Sequence, residues 1–337
     1  MRSMTTLKDI AAMIGVSVTT VSKSLRNHPD ISAKKKEEIL EAARKLNYIP
    51  NATARHLRKQ KTNIICVMIS DNTNPYYASF LKSVEEVASA HDFFTIISNS
   101  NEIPSREISF IANLRSLNAA GVIITPALDG KESIKLLRSS GVPFVIANRY
   151  ITRKKDNYVV ADDEEAGYVA TNYVLNIRGQ SDVLFFGPSR EVSSADDRVE
   201  GYERAMREHS MHIDRENIIS GVFTQEQAYS AAKVAIHKHR PPYSIVCYSD
   251  YIASGVCKAL SEAGVLVPKE VGIVGIDNIG LFSFIHPSLT TVDIPKEEIG
   301  RRSAELLLRL IENRENEKGI MEEQIVLKPE LIVRESV

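Results

Sequence analysis

Two groups of residues in this 337-residue chain have types and spacing that could do chemistry. The first lies at the N-terminus. Residues 1–61 hold thirteen Lys/Arg and five Asp/Glu, about +8 net, while the whole chain is −1, so the rest carries about −9. A basic head on an acidic body is the charge footprint of a nucleic-acid-binding module joined to something else. The second group is spread through the body. Asp71, Asn99, Thr125, Asn148 and Arg149 each follow a strand-like apolar run in the first half, and Asp250 and Asp277 do so in the second. Ligands of open α/β lobes bind outside the carboxyl ends of strands, so these side chains converge on one cleft if two lobes face each other. Tyr76 and Tyr77 open a helix and Phe223 follows a short run at Ile218. Their rings suit sugar C–H faces or a flat base. Arg198 with Asp277 could bridge ligand hydroxyls or a carboxylate through charged hydrogen bonds. Structural alternatives stand beside these roles: Asp71 and Asp277 as caps, Arg198 as an internal ion pair, one tyrosine as core.

The elements that must position these residues are legible in outline. In the head, Thr6 can cap a helix whose apolar face is Leu7, Ile10, Ala11 and Ile14. Gly15-Val16 supplies a turn, and Ser17 can cap a second helix with Val21 and Leu25 facing inward. Ser32 caps a third, with Ile39, Ala42, Ala43 and Leu46 on one face. This is the pattern of a helix-turn-helix. After a polar linker the pattern changes at Ile64. Short continuous apolar runs (64–69, 93–97, 122–124, 144–146, 159–160, 183–186, 245–247, 271–274) alternate with amphipathic stretches. That reads as parallel sheets covered on both faces. The number of strands points to two doubly wound lobes with a break near residues 158–163.

Several classes are excluded. No run of about 18 apolar residues is present, so no membrane span is expected. The N-terminus lacks an apolar h-region, and a cytoplasmic protein is expected. Cys66, Cys247 and Cys257 have no metal-ligand spacing and read as reduced thiols; no metal and no cofactor are expected. Phosphate-binding loops and a nucleophile elbow are absent as motifs, so the chain is not read as an enzyme.

At this point the residues carry a family resemblance. Thr6-Leu-Lys-Asp-Ile-Ala11, Gly15-Val-Ser-Val-Thr-Thr-Val-Ser22, Leu46-Asn-Tyr-Ile-Pro-Asn51 and Ala54-Arg-His-Leu57 resemble the head and hinge of the lactose repressor and purine repressor family. The body agrees at Asp71-Asn-Thr-Asn-Pro-Tyr-Tyr77, Arg198-Val-Glu-Gly-Tyr202, Tyr248-Ser-Asp-Tyr-Ile-Ala253, Gly275-Ile-Asp-Asn278 and Pro287-Ser-Leu-Thr-Thr291. The resemblance implies a small all-α helix-turn-helix head (1–50), a hinge helix and linker (51–63), and an α/β core like a periplasmic binding protein (64–337). It places the N-lobe at about 64–160 and 291–320, and the C-lobe at about 161–290 and 321–337, with crossings near Ala161, Thr290 and Met321.

Carried over by position, Val18, Thr19 and Lys23 are base readers in the major groove, and Ser17, Thr20, Ser22 and Asn27 are placed for phosphates. Leu57 is the hinge leucine that wedges between base steps, flanked by Asn51, Ala54 and Arg55. Asp162 fits the acidic position after the first crossing, with Asp163 adjacent. The implied protein is a homodimer that binds near-palindromic operator DNA and a small-molecule effector, a sugar or sugar derivative, and represses a sugar-uptake or catabolic operon. A sugar-binding transport receptor without a DNA role is the alternative; the basic head argues against it. Such a head should bind DNA with steep salt dependence. If a dimer neutralises about 6 to 10 phosphates, affinity should fall by ~10³ or more between roughly 50 and 200 mM salt. Fluorescence anisotropy across that range checks this, and a flat response would remove the phosphate-binding role.

Overall fold

A computed structural model of the chain describes residues 5–25, 27–46, 48, 62–152, 156–179, 182–316 and 322–337. Asn51, Ala54, Arg55 and Leu57 of the hinge lie outside these described residues. The chain divides into two units, Met1–Thr62 and Asn63–Val337. Among the described residues no helix is long and apolar enough to cross a membrane.

The first unit is built from α1 (Leu7–Ile14), α2 (Val18–Leu25) and α3 (Ala33–Lys45). Local chemistry sets their ends. The Asp9 carboxylate accepts from both the backbone N–H and the hydroxyl of Thr6 at 2.7 Å, which fastens the start of α1. Gly15 ends α1 with φ +67°, a conformation that costs a side-chain-free residue little. Ser17 Oγ accepts from the Thr20 N–H (3.0 Å) and starts α2, and Ser32 does the same for α3 through Lys35. Ile10, Ala11, Val21, Ile39, Ala42 and Ala43 bury one face of each helix in a single small core.

The second unit holds two sheets. In the first, β1 (Ile64–Ile69), β2 (Phe94–Asn99), β3 (Gly121–Ile124), β4 (Phe144–Ala147), β5 (Tyr158–Ala161) and β11 (Gln324–Leu327) lie in the order β11-β5-β4-β3-β1-β2, all parallel. Alternation along β1 divides its side chains between two cores. Ile65, Val67 and Ile69 join Phe80 and Val84 of α4 (Tyr76–Ala90) and Leu306 and Leu307 of α11 (Lys296–Glu315). Cys66 and Met68 join Ile111 of α5 (Pro104–Asn113) and Ile134 and Leu137 of α6 (Lys131–Ser140). That two-sided burial is why β1 and β3 read as continuous apolar runs, whereas the apolar residues Phe94, Ile96 and Ile97 of the edge strand β2 are exposed.

In the second sheet, β6 (Asp182–Phe186), β7 (Ile218–Ile219), β8 (Tyr243–Cys247), β9 (Val271–Ile276), β10 (Thr290–Asp293) and β12 (Glu330–Ile332) lie in the order β12-β10-β9-β8-β6-β7. Only the β10–β12 pair is antiparallel. Its helices are α7 (Asp163–Arg178), α8 (Ser193–Glu208), α9 (Gln225–Lys238) and α10 (Asp250–Glu262).

The lobe boundaries drawn from sequence need correction at two crossings. β10 pairs with β9, so the chain stays in the second lobe through Asp293 and crosses at Ile294-Pro295 rather than near Thr290. β11 pairs with β5, so residues 324–327 belong to the first lobe, and the last crossing is at Lys328-Pro329 rather than near Met321. β10 is mostly polar (Thr-Thr-Val-Asp) and β11 is a four-residue strand with alternate side chains exposed, so neither reads as a long buried strand.

Helices α7 and α8 approach at two glycines. A Cβ on Gly201 would sit 2.0 Å from the Glu164 carbonyl oxygen, and one on Gly167 would sit 2.0 Å from that of Arg198. Both distances are far inside van der Waals contact with backbone, which cannot swing aside. Gly201→Ala should therefore force the helices apart and cost ~1–3 kcal/mol, as overpacked sites do. Urea unfolding followed by circular dichroism measures it. A midpoint equal to that of the parent protein would mean that the helix pair yields freely.

Candidate nucleic-acid interface and ligand cleft

In the head, α2 turns Val21 into the core and leaves Val18 40% exposed and Thr19 exposed at its N-terminal end. Val18 is therefore a surface residue of the head and not part of its core. Ser17 and Thr20 share a hydroxyl–hydroxyl bond of 2.8 Å beside them. Ser22 is half buried. Lys23 Nζ is held by Asp30 at 2.8 Å, and Asp30 also meets His28 Nδ1 at 3.3 Å. The hydrogen bond from Lys23, with the His28 charge behind it, draws the Asp30 carboxyl below its ordinary range. Asn27 takes a left-handed turn (φ 56°), and its side-chain oxygen accepts from Lys36 Nζ at 2.8 Å. The exposed start of α2 thus brings Ser17, Val18 and Thr19 together, with Lys23 one turn on.

In the body, a cleft of about 680 Å³ opens between the carboxyl ends of the two sheets. It lies at the topological switch points, between β1 and β3 on one side and β6 and β8 on the other. The first lobe contributes Asp71 after β1, Asn99 at the end of β2, Tyr76 and Tyr77 from α4, and Asn148 and Arg149 after β4. The second contributes Arg198 from α8, Phe223 before α9, Tyr248 and Ser249 after β8, and Asp277 after β9.

The first wall is ordered by polar contacts. Tyr76 Oη donates to Asn148 Oδ1 (2.7 Å), and Asn148 Nδ2 donates to Thr125 Oγ1 (2.9 Å). Tyr77 and Ser70 share a hydroxyl bond of 2.6 Å, and the two tyrosine rings meet edge to face at 5.3 Å. Both tyrosines are largely buried yet line the cleft, so neither is core alone. Asp71 Oδ1 accepts from the N–H and hydroxyl of Thr73, which makes Asp71 a turn cap as well as a wall residue. Asn99 Oδ1 accepts from the Asn72 N–H (3.1 Å).

Two buried guanidinium groups face each other across this space, and both are paired. Arg149 Nη1 donates to both Glu102 oxygens and to the Pro126 carbonyl, each at 3.0 Å. Arg198 Nε donates to Asp163 Oδ1 at 2.7 Å, while its Nη1 meets the Tyr248 carbonyl and stands 3.7 Å from Asp277 Oδ1. The Tyr248 ring covers the guanidinium 4.3 Å away. Burial alone would lower the Arg198 pKa, but Asp163, Tyr248 and Asp277 more than reverse this and keep it charged. Burial pushes Asp163 up to about 6 against the opposing pull of Arg198, and lifts Asp277 well above its ordinary value. The internal-pair alternative for Arg198 is therefore part of its structure, and it still lines the cleft.

Three residues assigned to the ligand from sequence do not line it. Thr125 is buried and acts on the site only by orienting Asn148. Asp250 is buried at the start of α10, where it accepts from the Thr291 hydroxyl (2.6 Å) and the Ile279 N–H (2.7 Å). Burial raises its carboxyl to about 7. It braces the loop that presents Asp277. Asp162 caps α7 through the Glu165 N–H at 3.1 Å, and its neighbour Asp163 is the residue that reaches Arg198. A carboxylate just ahead of a helix meets free N–H groups, which turns it away from the cleft.

Sequence reasoning missed Glu102, Ser194, Gln227 and Tyr248, all in the lining. Tyr248 ends a strand and Ser194 lies four residues before Arg198 on α8, so period and position could have found both. Glu102 had no such signal. The lobes also touch at Tyr150, whose N–H donates to Ser193 Oγ (3.0 Å) and whose hydroxyl donates to Asp197 (2.7 Å). Such a site can hold a polar small molecule between two lobes.

Comparison with known proteins fits this architecture. Residues 6–51 match the family described as bacterial regulatory proteins, lacI family, and residues 175–337 match a periplasmic binding protein-like domain. The HTH-type transcriptional repressor PurR of Vibrio campbellii is 30% identical over 336 residues, covering 99% of each chain. The lac repressor dimer bound to operator and the anti-inducer ONPF superimposes with a TM-score of 0.87 at 21% identity, over 99% of both chains. A LacI family regulator from Enterococcus faecium with bound ribose is 26% identical with a TM-score of 0.71, covering 81% of this chain and 98% of its own. The chain belongs to the lacI family of bacterial regulatory proteins.

Proposed function

We propose that this chain is a homodimeric repressor that binds near-palindromic operator DNA and releases or grips it in response to a sugar or sugar derivative. The observation that carries the effector reading is the cleft wall. Side-chain amides at Asn72, Asn99, Asn148 and Gln227 sit among aromatic rings at Tyr76, Tyr77 and Phe223. Amides both donate to and accept from hydroxyls, carboxylates accept from them, and ring faces cover C–H surfaces. The relative from Enterococcus faecium with bound ribose supports the same reading. A purine is the second reading, favoured by the PurR name of the relative from Vibrio campbellii and by the flat rings in the wall. Unpartnered apolar side chains in both lobes, Phe94 at 69% exposure and Phe284 at 88%, support association with a second copy.

On the DNA, Val18, Thr19 and Lys23 read base edges, and Ser17, Thr20, Ser22 and Asn27 hold phosphates. Leu57 with Asn51, Ala54 and Arg55 acts in the minor groove as the hinge. The effector works by population shift: it binds one arrangement of the two lobes better than the other, and the DNA-competent state follows.

Thermal-shift and calorimetric titration of the full chain with mono- and disaccharides, hypoxanthine and guanine decides the effector class. Saturable binding of a sugar, lost in Arg198→Ala, is expected; binding of the bases alone would transfer the assignment to purines. Lys23→Ala should relax base preference at defined operator positions by ~1–3 kcal/mol while leaving non-specific affinity little changed. Selection from random DNA measures this, and an unchanged consensus would remove Lys23 from the readers.

A further inference from the structure

We propose that the cleft selects an uncharged effector over its phosphorylated or carboxylated counterparts, and that Glu102 sets this choice by occupying the Arg149 guanidinium. The inference deepens the sugar reading above and rests on the same cleft.

An anion site needs an uncommitted cation or a bare helix N-terminus. Among the described residues lining the cleft, the cations are Arg149 and Arg198, and each already holds carboxylates. Glu102 takes Arg149 through both of its oxygens, and Asp163 with Asp277 takes Arg198. Asp71 adds a further carboxylate to the wall. Three of the helix starts at the cleft have an N–H already taken by a neighbouring side chain. Asn74 Oδ1 accepts from the Tyr76 N–H at α4, Thr224 Oγ1 from the Gln227 N–H at α9, and Ser249 Oγ from the Ile252 N–H at α10. At α8 no side chain caps the first turn, but that turn carries Asp196, paired with Arg190, and is followed by Asp197, which accepts from Tyr150.

A phosphoryl group would therefore have to displace Glu102 or sit among carboxylates. Like charges placed together at a binding site are strongly disfavoured. A hydroxyl meets no such barrier. The wall amides both donate and accept, and each guanidinium keeps N–H donors on nitrogens not used by its carboxylate. Glu102 itself is held in place by its backbone. Asn101 and Glu102 both adopt left-handed conformations, φ 51° and 56°, an uncommon pairing for non-glycine residues. Its Oε2 also accepts from the N–H of Leu128, another lining residue, at 3.0 Å. Glu102 thus orders the β3–α6 loop while it neutralises Arg149.

The test uses the full chain and matched ligand pairs: glucose and glucose 6-phosphate, ribose and ribose 5-phosphate, inosine and inosine 5′-monophosphate, with hypoxanthine and inorganic phosphate each alone. Calorimetry and thermal shift are run on wild type and Glu102→Gln. In any pair that binds, the neutral member should bind ~100-fold or more tighter. Inorganic phosphate should give wild type no saturable response and Glu102→Gln a clear one, because glutamine keeps an acceptor for Leu128 but leaves Arg149 its charge. A phosphorylated member that binds as tightly as its neutral partner, or a saturable phosphate response in wild type, overturns the proposal. A folded Glu102→Gln without phosphate binding removes Glu102 from the role. If that variant does not fold, the wild-type arms still decide. Binding of hypoxanthine and inosine but of neither free sugar, with the nucleotide rejected, would end the sugar reading while supporting the charge assignment.

Discussion

The buried charge of Arg198 is the constraint around which the ligand-binding unit is arranged. A guanidinium out of water must be paired and hydrogen-bonded, or its burial is prohibitively unfavourable. Its partners come from three separate places: Asp163 at the start of α7, Asp277 after β9 and the carbonyl of Tyr248 after β8. Removing one partner of such a buried pair typically costs ~3–5 kcal/mol, so the pairing restricts where all three elements can lie. Gly167 and Gly201 meet the same requirement from the other side, by letting α8 come close enough to α7 for the Arg198–Asp163 bond. Asp250 then braces the Asp277 loop from beneath.

Hydrogen bonds also join the lobes. Lys296, at the start of α11 in the first lobe, donates to the Asp277 carbonyl at 2.8 Å, on the loop that faces Arg198. Tyr150 reaches Ser193 and Asp197 on α8 from the opposite side. A ligand in the cleft would touch Arg149 next to Tyr150, and Ser194 and Arg198 on either side of Asp197. Ligand contacts and interlobe contacts thus alternate along the same two segments. A molecule that draws the walls together must act on these bonds, which is the physical route by which a small ligand changes the relation between rigid lobes.

The same pairing explains the chemistry of the cleft. Each of its cations is committed to a carboxylate, and Asp71 adds a further acidic group, so the interior is polar and holds no uncommitted cation among the described lining residues. The remaining polar surface of the cleft is made of amides and hydroxyls beside ring faces, which offer directional hydrogen bonds and shape.

Much of this architecture is legible in the amino-acid sequence. The helix starts at Thr6, Ser17 and Ser32, the left-handed Gly15 and the apolar runs of the central strands depend on neighbours within one turn or one strand, and local sequence contains those neighbours. Strand ends likewise located Asp71, Asn148, Arg149 and Asp277 in the wall. Tertiary structure decided the rest. Glu102 reaches Arg149 across 47 positions and Arg198 reaches Asp163 across 35, and no local pattern encodes such distances. Thr125, Asp162 and Asp250 follow the same strand-end pattern as true wall residues, yet unsatisfied hydroxyls and N–H groups nearby turn them inward. β10, β11 and β12 are only three or four residues long, and they are strands because sheets built from distant segments offer them hydrogen bonds. Periodicity and capping are properties of adjacent residues; which charge neutralises which, and which polar group faces the ligand, is settled only when distant segments are brought together and desolvated.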